Sequence, residues 1–318
     1  MNEKPMRLTV AICTWNRAAL LEQTLVQMCK LVVPAGVEWE LLLINNNSTD
    51  NTEDVTRSFA NRLPIQHILE ARQGQSHARN RAIEAATGDL LIFTDDDVLV
   101  HENWLAEYAA AAARWPDAGY FGGLIEPWFE HEPPQWLADN QTAFAGMLVA
   151  RNLGAVERTL GPDEEPYGAN MAFRMTAIRG HLFDPNLGLA GDNAIRFDES
   201  DYCRRLRASG ITGVWVPSAS VRHFVVAARM TLDYVWKYYE GTGRSSVRMN
   251  GPLEGHAVFG APRWLYRQYA EARVSSIWKR ARRRRDWVLS IRQAAVARGA
   301  IRENRLARRT ATLKATST

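Results

Sequence analysis

Cysteine is scarce in this chain: 318 residues contain three, Cys13, Cys29 and Cys203, and none forms a CxxC pair. That excludes a disulfide framework and a zinc cluster. All three read as reduced packing residues, with Cys13 at a strand end near where a ligand could lie. Long hydrophobic runs are also missing. No stretch of about 18 apolar residues occurs and residues 1–10 hold no signal-peptide core, so a cytoplasmic protein without a membrane span is expected. Glycine-rich phosphate loops are absent as well. Neither G-x-G-x-x-G after the first strand nor G-x-x-x-x-G-K-[ST] anywhere is found, which argues against dinucleotide and P-loop sites. Where a nucleotidyltransferase would carry a Gly-rich, Lys-containing loop, this chain has Cys13-Thr14-Trp15-Asn16-Arg17.

What is present is an apolar content of 46%, enough to bury one large core or two modest ones, so a catalytic α/β domain with an appendage is expected. The net charge of +4 conceals a division. Residues 1–224 hold 19 Lys and Arg against 29 Asp and Glu, a net of −10, whereas residues 225–318 hold 20 against 6, a net of +14. An acidic segment can hold cations, while a strongly basic one seeks phosphates or anionic lipid.

Strand and helix patterns alternate through the first 115 residues. Residues 8–13 read as a buried strand, after which Asn16 caps a helix with the apolar face Leu20, Leu21, Leu25, Met28 and Cys29. A second strand, 39–44, ends in Asn45-Asn46-Asn47-Ser48-Thr49-Asp50, where Asp50 caps the next helix. The third, 65–69, leads into a helix over 76–86 that Gly88 ends. The fourth, 90–94, runs into Asp95-Asp96-Asp97. Strands separated by helices predict a mainly parallel, doubly wound α/β sheet whose loops after strands one, two and four share one ligand-binding edge.

An acidic triplet after a strand is compatible with a solvated turn, since Asp favours turns and caps. At the end of a buried strand, however, adjacent carboxylates repel one another, and a divalent cation relieves the repulsion. Past residue 116 the alternation loosens. The segment 127–136 reads as an irregular aromatic loop, in which Trp128 and Trp136 either pack the loop down or face a sugar ring.

Taken in order, VAICTWNR (10–17), LLINNNSTDNT (42–52), GQSHARNRAIEAATGDLLIFTDDDV (74–98), YGANMAFR (167–174) and FDESDYCRRLRASG (197–210) resemble the family 2 glycosyltransferases across roughly residues 7–225. The resemblance implies a GT-A (Rossmann-like) fold and inverting transfer of a sugar from a nucleotide-sugar donor, a UDP-sugar first, to an acceptor hydroxyl. It divides the chain into a catalytic domain, 1–224, with a nucleotide-sugar half to about 115 and an acceptor half from about 116, and a helical basic extension, 225–318. By the same resemblance Asp97 holds a divalent metal, Mn2+ or Mg2+, with His223 as a further ligand, and Asp95 meets the ribose or a metal-bound water. Asp96 lies on the donor side, as do Thr14, Asn16 and Arg17 from the first loop and Arg79 from the following helix. Relatives often have Asp where Asn45 stands, so base binding is shared among Asn45, Asn46 and Asn47.

Inversion needs a general base, and Asp198-Glu199-Ser200-Asp201 supplies three acids. Acids also suit a first helical turn. The family's acid pair matches Asp198-Glu199 with its order reversed, which makes Glu199 the expected base and Asp198 the next candidate. Asp201 is assigned to acceptor contact or capping. Gly168 and Asn170 are expected to meet the acceptor, with Trp128, although Gly168-Ala169-Asn170 also reads as a tight turn entering a helix at Met171. In the basic tail, Trp278 and Trp287 flank the run 279–285 with its Lys279 and five arginines. Arg beside Trp suits an anionic membrane surface, implying a peripheral protein at the inner leaflet and a lipid-linked or growing-polysaccharide acceptor. A solvated helix face is the alternative reading of the run, and no nucleic-acid recognition motif accompanies the charge. A peptide or natural-product acceptor, or a non-catalytic nucleotide and sugar binder, is the alternative.

Overall fold

The computed structural model describes residues 5–188 and 197–316. The chain begins with β1 (Met6–Thr14), α1 (Ala18–Met28), β2 (Val37–Asn45), α2 (Thr52–Ser58), β3 (Ile65–Leu69) and α3 (Gln75–Ala85). There follow β4 (Leu90–Asp95), β5 (Val98–Val100), α4 (Trp104–Arg114), β6 (Tyr120–Phe129) and two short helices, α5 (Gln135–Ala138) and α6 (Ala145–Leu148). Next come β7 (Arg158–Thr159), β8 (Met171–Arg174), α7 (Asp198–Ala208) and β9 (Gly213–Val225). The C-terminal part is α8 (Leu232–Asn250), the hairpin β10 (Ala257–Val258) and β11 (Ala261–Pro262), α9 (Arg263–Ala281) and α10 (Trp287–Thr316).

Among the described residues nine strands form one mixed sheet, ordered β3-β2-β1-β4-β8-β6-β9-β5, with β7 beside β9. Helical crossovers keep β3, β2, β1 and β4 parallel. β8 pairs antiparallel with β4 and β6, and β9 pairs antiparallel with β5 and β7. Only Asp96 and Asp97 separate β4 from β5, too few residues for a crossover. The chain therefore turns away and pairs β5 with β9.

Alternation along β1 sorts its side chains to the two faces. Leu8, Val10 and Ile12 join Leu21 and Leu25 of α1 and Trp104 and Tyr108 of α4 in one core layer. Ala11 faces the other, with Ala78 and Ala82 of α3 and Tyr202, Cys203 and Leu206 of α7. Contacts divide the chain into a first unit of Met1–Trp128, Val149–Gly188 and Asp198–Phe224, and a second built mainly from Phe129–Leu148 and Val225–Thr318. In the second unit α8 and α10 pack together, Arg244 and Arg248 reaching Glu303 at 3.0 and 2.6 Å.

Three local expectations are corrected. Asn16 does not cap α1: its backbone has φ +53°, its N–H donates to Ser48 Oγ and its Oδ1 accepts from Thr49 N–H. Asp50 supplies that cap instead, accepting from Ala18 N–H through Oδ2 while Oδ1 accepts from Thr52. Gly88 does not end α3, which stops when Ala86 turns extended at ψ 130°. Gly88 is small because β1 passes beside it; a Cβ there would lie 2.7 Å from Thr9 N. Met171 begins β8 rather than a helix.

Candidate active site

Register brings the polar strand ends together. Thr14 sits opposite Asn45 and Cys13 opposite Asp95, so the loops after β1, β2 and β4 open on one edge. Asp96 and Asp97 are buried there and anchored from β1's loop. Thr14 Oγ1 donates to Asp96 Oδ2 at 2.7 Å, and Arg17 Nη1 bridges Asp96 Oδ1 at 3.0 Å and Asp97 Oδ2 at 2.9 Å. From α1, Thr24 Oγ1 donates to the Asp96 carbonyl. Burial pushes the Asp96 carboxyl up to about 6 against the pull of Arg17. Asp95 is raised too, by burial first and by the Asp97 charge second. Burial likewise pushes the Cys13 thiol up to about 12, which keeps it protonated and unreactive.

His223 reaches the triplet through the sheet. It lies on β9 opposite Val98, the first residue of β5, and its Nε2 is 3.3 Å from Asp97 Oδ1. A carboxylate and an imidazole side by side are donors that Mn2+ accepts readily and Mg2+ accepts through the oxygen. They form a pair rather than a cage: among the described residues no three His, Cys, Asp or Glu side chains converge on one point. Such a pair fits an ion whose remaining positions are filled by substrate phosphates and water.

The Asn-rich loop is largely engaged in holding itself. Asn45 Oδ1 accepts from Ser48 N–H. Asn46 donates to the Glu70 and Arg72 carbonyls and accepts from Gly74 N–H, which ties β2's end to the loop before α3. Asn47 has φ +64°.

On the other side of β4 stands an ion-pair cluster. Arg79, 2% exposed on the inner face of α3, donates through Nη1 to Asp198 Oδ2 and through Nη2 to Glu199 Oε1 at 2.8 Å. Gly168 makes room for it: a Cβ there would fall 1.9 Å from Arg79 Nη2 and 2.7 Å from Glu199 Oε1. The two carboxyls differ in environment. Burial, followed by the neighbouring Glu199 charge, pushes Asp198 up to about 8 in spite of Arg79. Burial acts upward on Glu199 as well, yet Arg79 and the hydrogen bond from Asp198 hold it below the ordinary carboxylate range. Glu199 is also the more open, its side chain 24% exposed against 3% for Asp198. The cluster and the triplet are joined through β8's approach, where Thr94 Oγ1 donates to the Ala169 carbonyl at 2.9 Å.

Two of the expected acceptor residues are committed elsewhere. Asn170 is fully buried; Oδ1 accepts from Trp104 Nε1 and Tyr108 OH, and Nδ2 donates to the Leu124 and Ala219 carbonyls. Both lone pairs of Oδ1 and both protons of Nδ2 are thus engaged within the protein. Asp201 accepts from Arg204 and Arg205 one turn along α7. Trp128 is the penultimate residue of β6 instead of belonging to an irregular loop, its ring 5.0 Å from that of Phe224 and under the Arg222 guanidinium. The Arg79 partnership was missed by sequence reasoning. Its signal is a cation among the positions of α3 that the helix buries, Ala78 and Ala82, since a buried guanidinium requires carboxylates.

A parallel half-sheet with an acid-ended strand at its open edge, continued by antiparallel strands and followed in the chain by C-terminal helices, matches the GT-A architecture of glycosyltransferases. The model of glycosyl transferase family 2 matches residues 9–169, half of the chain, and the chain belongs to that family. It is 23% identical over 253 residues to the succinoglycan biosynthesis protein ExoM of Rhizobium meliloti, covering 78% of this chain and 77% of that one. Over 108 residues it is 36% identical to the validoxylamine A glucosyltransferase of Streptomyces hygroscopicus subsp. jinggangensis, covering 33% of this chain and only 25% of that protein's length. In structure it resembles the mannosyltransferase PcManGT of Pyrobaculum calidifontis, solved with GDP-Man and Mn2+, at a TM-score of 0.63 and 19% identity over 95% of this chain and 88% of the other.

Proposed function

We propose that this glycosyltransferase catalyses inverting, metal-dependent transfer from a nucleotide-sugar, a UDP-sugar first, to the hydroxyl of a lipid-linked or growing-polysaccharide acceptor. One observation carries the reading. The acid triplet and the Asp198–Glu199 pair flank the same short turn, with Thr94 bonded to Ala169 while Gly168 packs against Arg79 and Glu199. Leaving-group and attacking-group chemistry thus have their residues on either side of one turn.

Asp97 and His223, with Asp95 beside them, are the residues that would hold the ion, which when bound supplies positive charge for the departing diphosphate. Arg17, already at Asp96 and Asp97, adds a fixed cation on the same side. Thr14, Asn16, Asn45, Asn46, Asn47 and Asp96 shape the nucleotide end of the site. Glu199 takes the acceptor proton. The opposite protonation preferences of the two carboxyls support this reading, with the more open, ionised Glu199 as base and the buried Asp198 neutral beside it.

Glu199→Gln keeps size and hydrogen bonding but cannot accept a proton. It should lower kcat by about 100-fold or more while nucleotide binding stays unchanged. Transfer assays across UDP- and GDP-sugars, with Mn2+ or EDTA, test the rest; transfer that survives EDTA would refute the metal requirement. The relative named for succinoglycan biosynthesis supports a saccharide acceptor. The validoxylamine A glucosyltransferase favours a natural-product acceptor as the second reading, and an acceptor panel separates the two.

A further inference from the structure

Helix α9 carries two apolar faces where a helix packed at a protein surface needs one. Leu265, Ala272 and Ser276 are its buried positions, and Ser275 Oγ lies 3.2 Å from Ser290 Oγ of α10. On the opposite side Ala270, Val274, Ile277, Trp278 and Ala281 recur at helical spacing, all exposed, with Val274, Ile277 and Trp278 at 67, 69 and 49%. Immediately beyond them the chain turns at Arg283 (φ +52°), and Arg282, Arg283, Arg284 and Arg285 are exposed. The Arg282 guanidinium lies over the Trp278 ring at 4.2 Å, and Arg280 lies over Trp287 at 4.9 Å.

We propose that this face of α9 with the arginine turn 282–285 is a docking surface for an anionic phospholipid headgroup layer, on which the helix lies in the interface plane. Three adjacent large apolar side chains left in water favour transfer into the acyl boundary, and cations at their rim attract anionic lipid. The region 225–318 carries a net charge of +14, complementary to such a surface. Nucleic acid would use the arginines but has no use for Val274 and Ile277, and the Trp278 face that a base would stack on is taken by Arg282. Among the described residues no helix is long and apolar enough to cross a membrane, so the contact is superficial. The surface stands independently of the transfer chemistry.

Flotation of the full-length protein with mixed phosphatidylglycerol and phosphatidylcholine vesicles, against phosphatidylcholine alone, tests the surface. The wild type should float with the anionic vesicles only, and less as salt rises. Ile277→Asp combined with Trp278→Ala should weaken binding about tenfold or more, and Gln at 282–285 should do likewise. All these positions are exposed, so unchanged melting temperatures serve as the folding control. Equal flotation of wild type and the Ile277→Asp, Trp278→Ala variant would overturn the proposal. So would a dimer in sedimentation that the same variant splits without any vesicle binding, since the face would then belong to a second copy. Capture of RNA but not of vesicles by the arginine turn would overturn it too.

Discussion

Arg79 is the residue on which the candidate catalytic cluster depends. A guanidinium with 2% exposure between two carboxylates is stable only as part of the set, because removing one member leaves the others buried and uncompensated. Arg79→Met should destabilise the fold by about 3 kcal/mol or more, measured by urea unfolding. Asp198 adds a pH signature. Its folded carboxyl is raised to about 8, above the ordinary value of about 4 in the unfolded chain. Between those limits the folded state holds a proton that the unfolded state has lost, so stability is greatest at the acid end and declines as pH rises. The melting temperature should fall between about pH 6.5 and 8, above the range in which Asp96 titrates. Asp198→Asn should flatten that fall; an equal slope in the variant would remove Asp198 as its source. The acids, Arg17 and His223 were legible as residue types. Their partners were not, because Arg79 meets Asp198 from 119 residues away and Thr14 meets Asp96 from 82.

At the scale of elements, the site is an edge made by strand ends and held by polar staples. Asp50 joins two of them, accepting from Ala18 at the start of α1 and from Thr52 at the start of α2. Asp50→Ala therefore removes two caps at once and should cost about 1–2 kcal/mol, read as a lower melting temperature with little change in nucleotide affinity. Sequence periodicity placed β3 at 65–69, as observed, and located β1, β2 and β4 within three residues at each end. It could not foresee β5 pairing with β9. Three residues, Val98-Leu99-Val100, carry too little pattern to name a partner, and a strand that runs antiparallel after a two-residue turn is decided by which edge is open. Asn170 illustrates the same limit, since a turn asparagine suggests a ligand contact until helix α4 is seen to supply both donors to its oxygen.

For the whole molecule, ligand and fold are linked. A nucleotide that binds only the native state raises stability by about 2.7 kcal/mol at 100 times its Kd. If the Asp97–His223 pair is completed by substrate phosphates, nucleotide diphosphate and Mn2+ together should raise the melting temperature more than the sum of either alone. Comparing UDP with GDP in that assay identifies which base the protein accepts. Strictly additive shifts would separate metal from nucleotide and count against a shared centre. Sequence alone determined the alternating α/β plan, the acid-ended strand, the charge division and the family, because each depends on local pattern and order along the chain. Tertiary structure decided what those residues do to one another: that β9 brings His223 to Asp97, that Gly168 opens space for Arg79, and that Asp198 and Glu199 become unlike acids. Burial and long-range pairing set those relations, and neither is written in the spacing of residues along a chain.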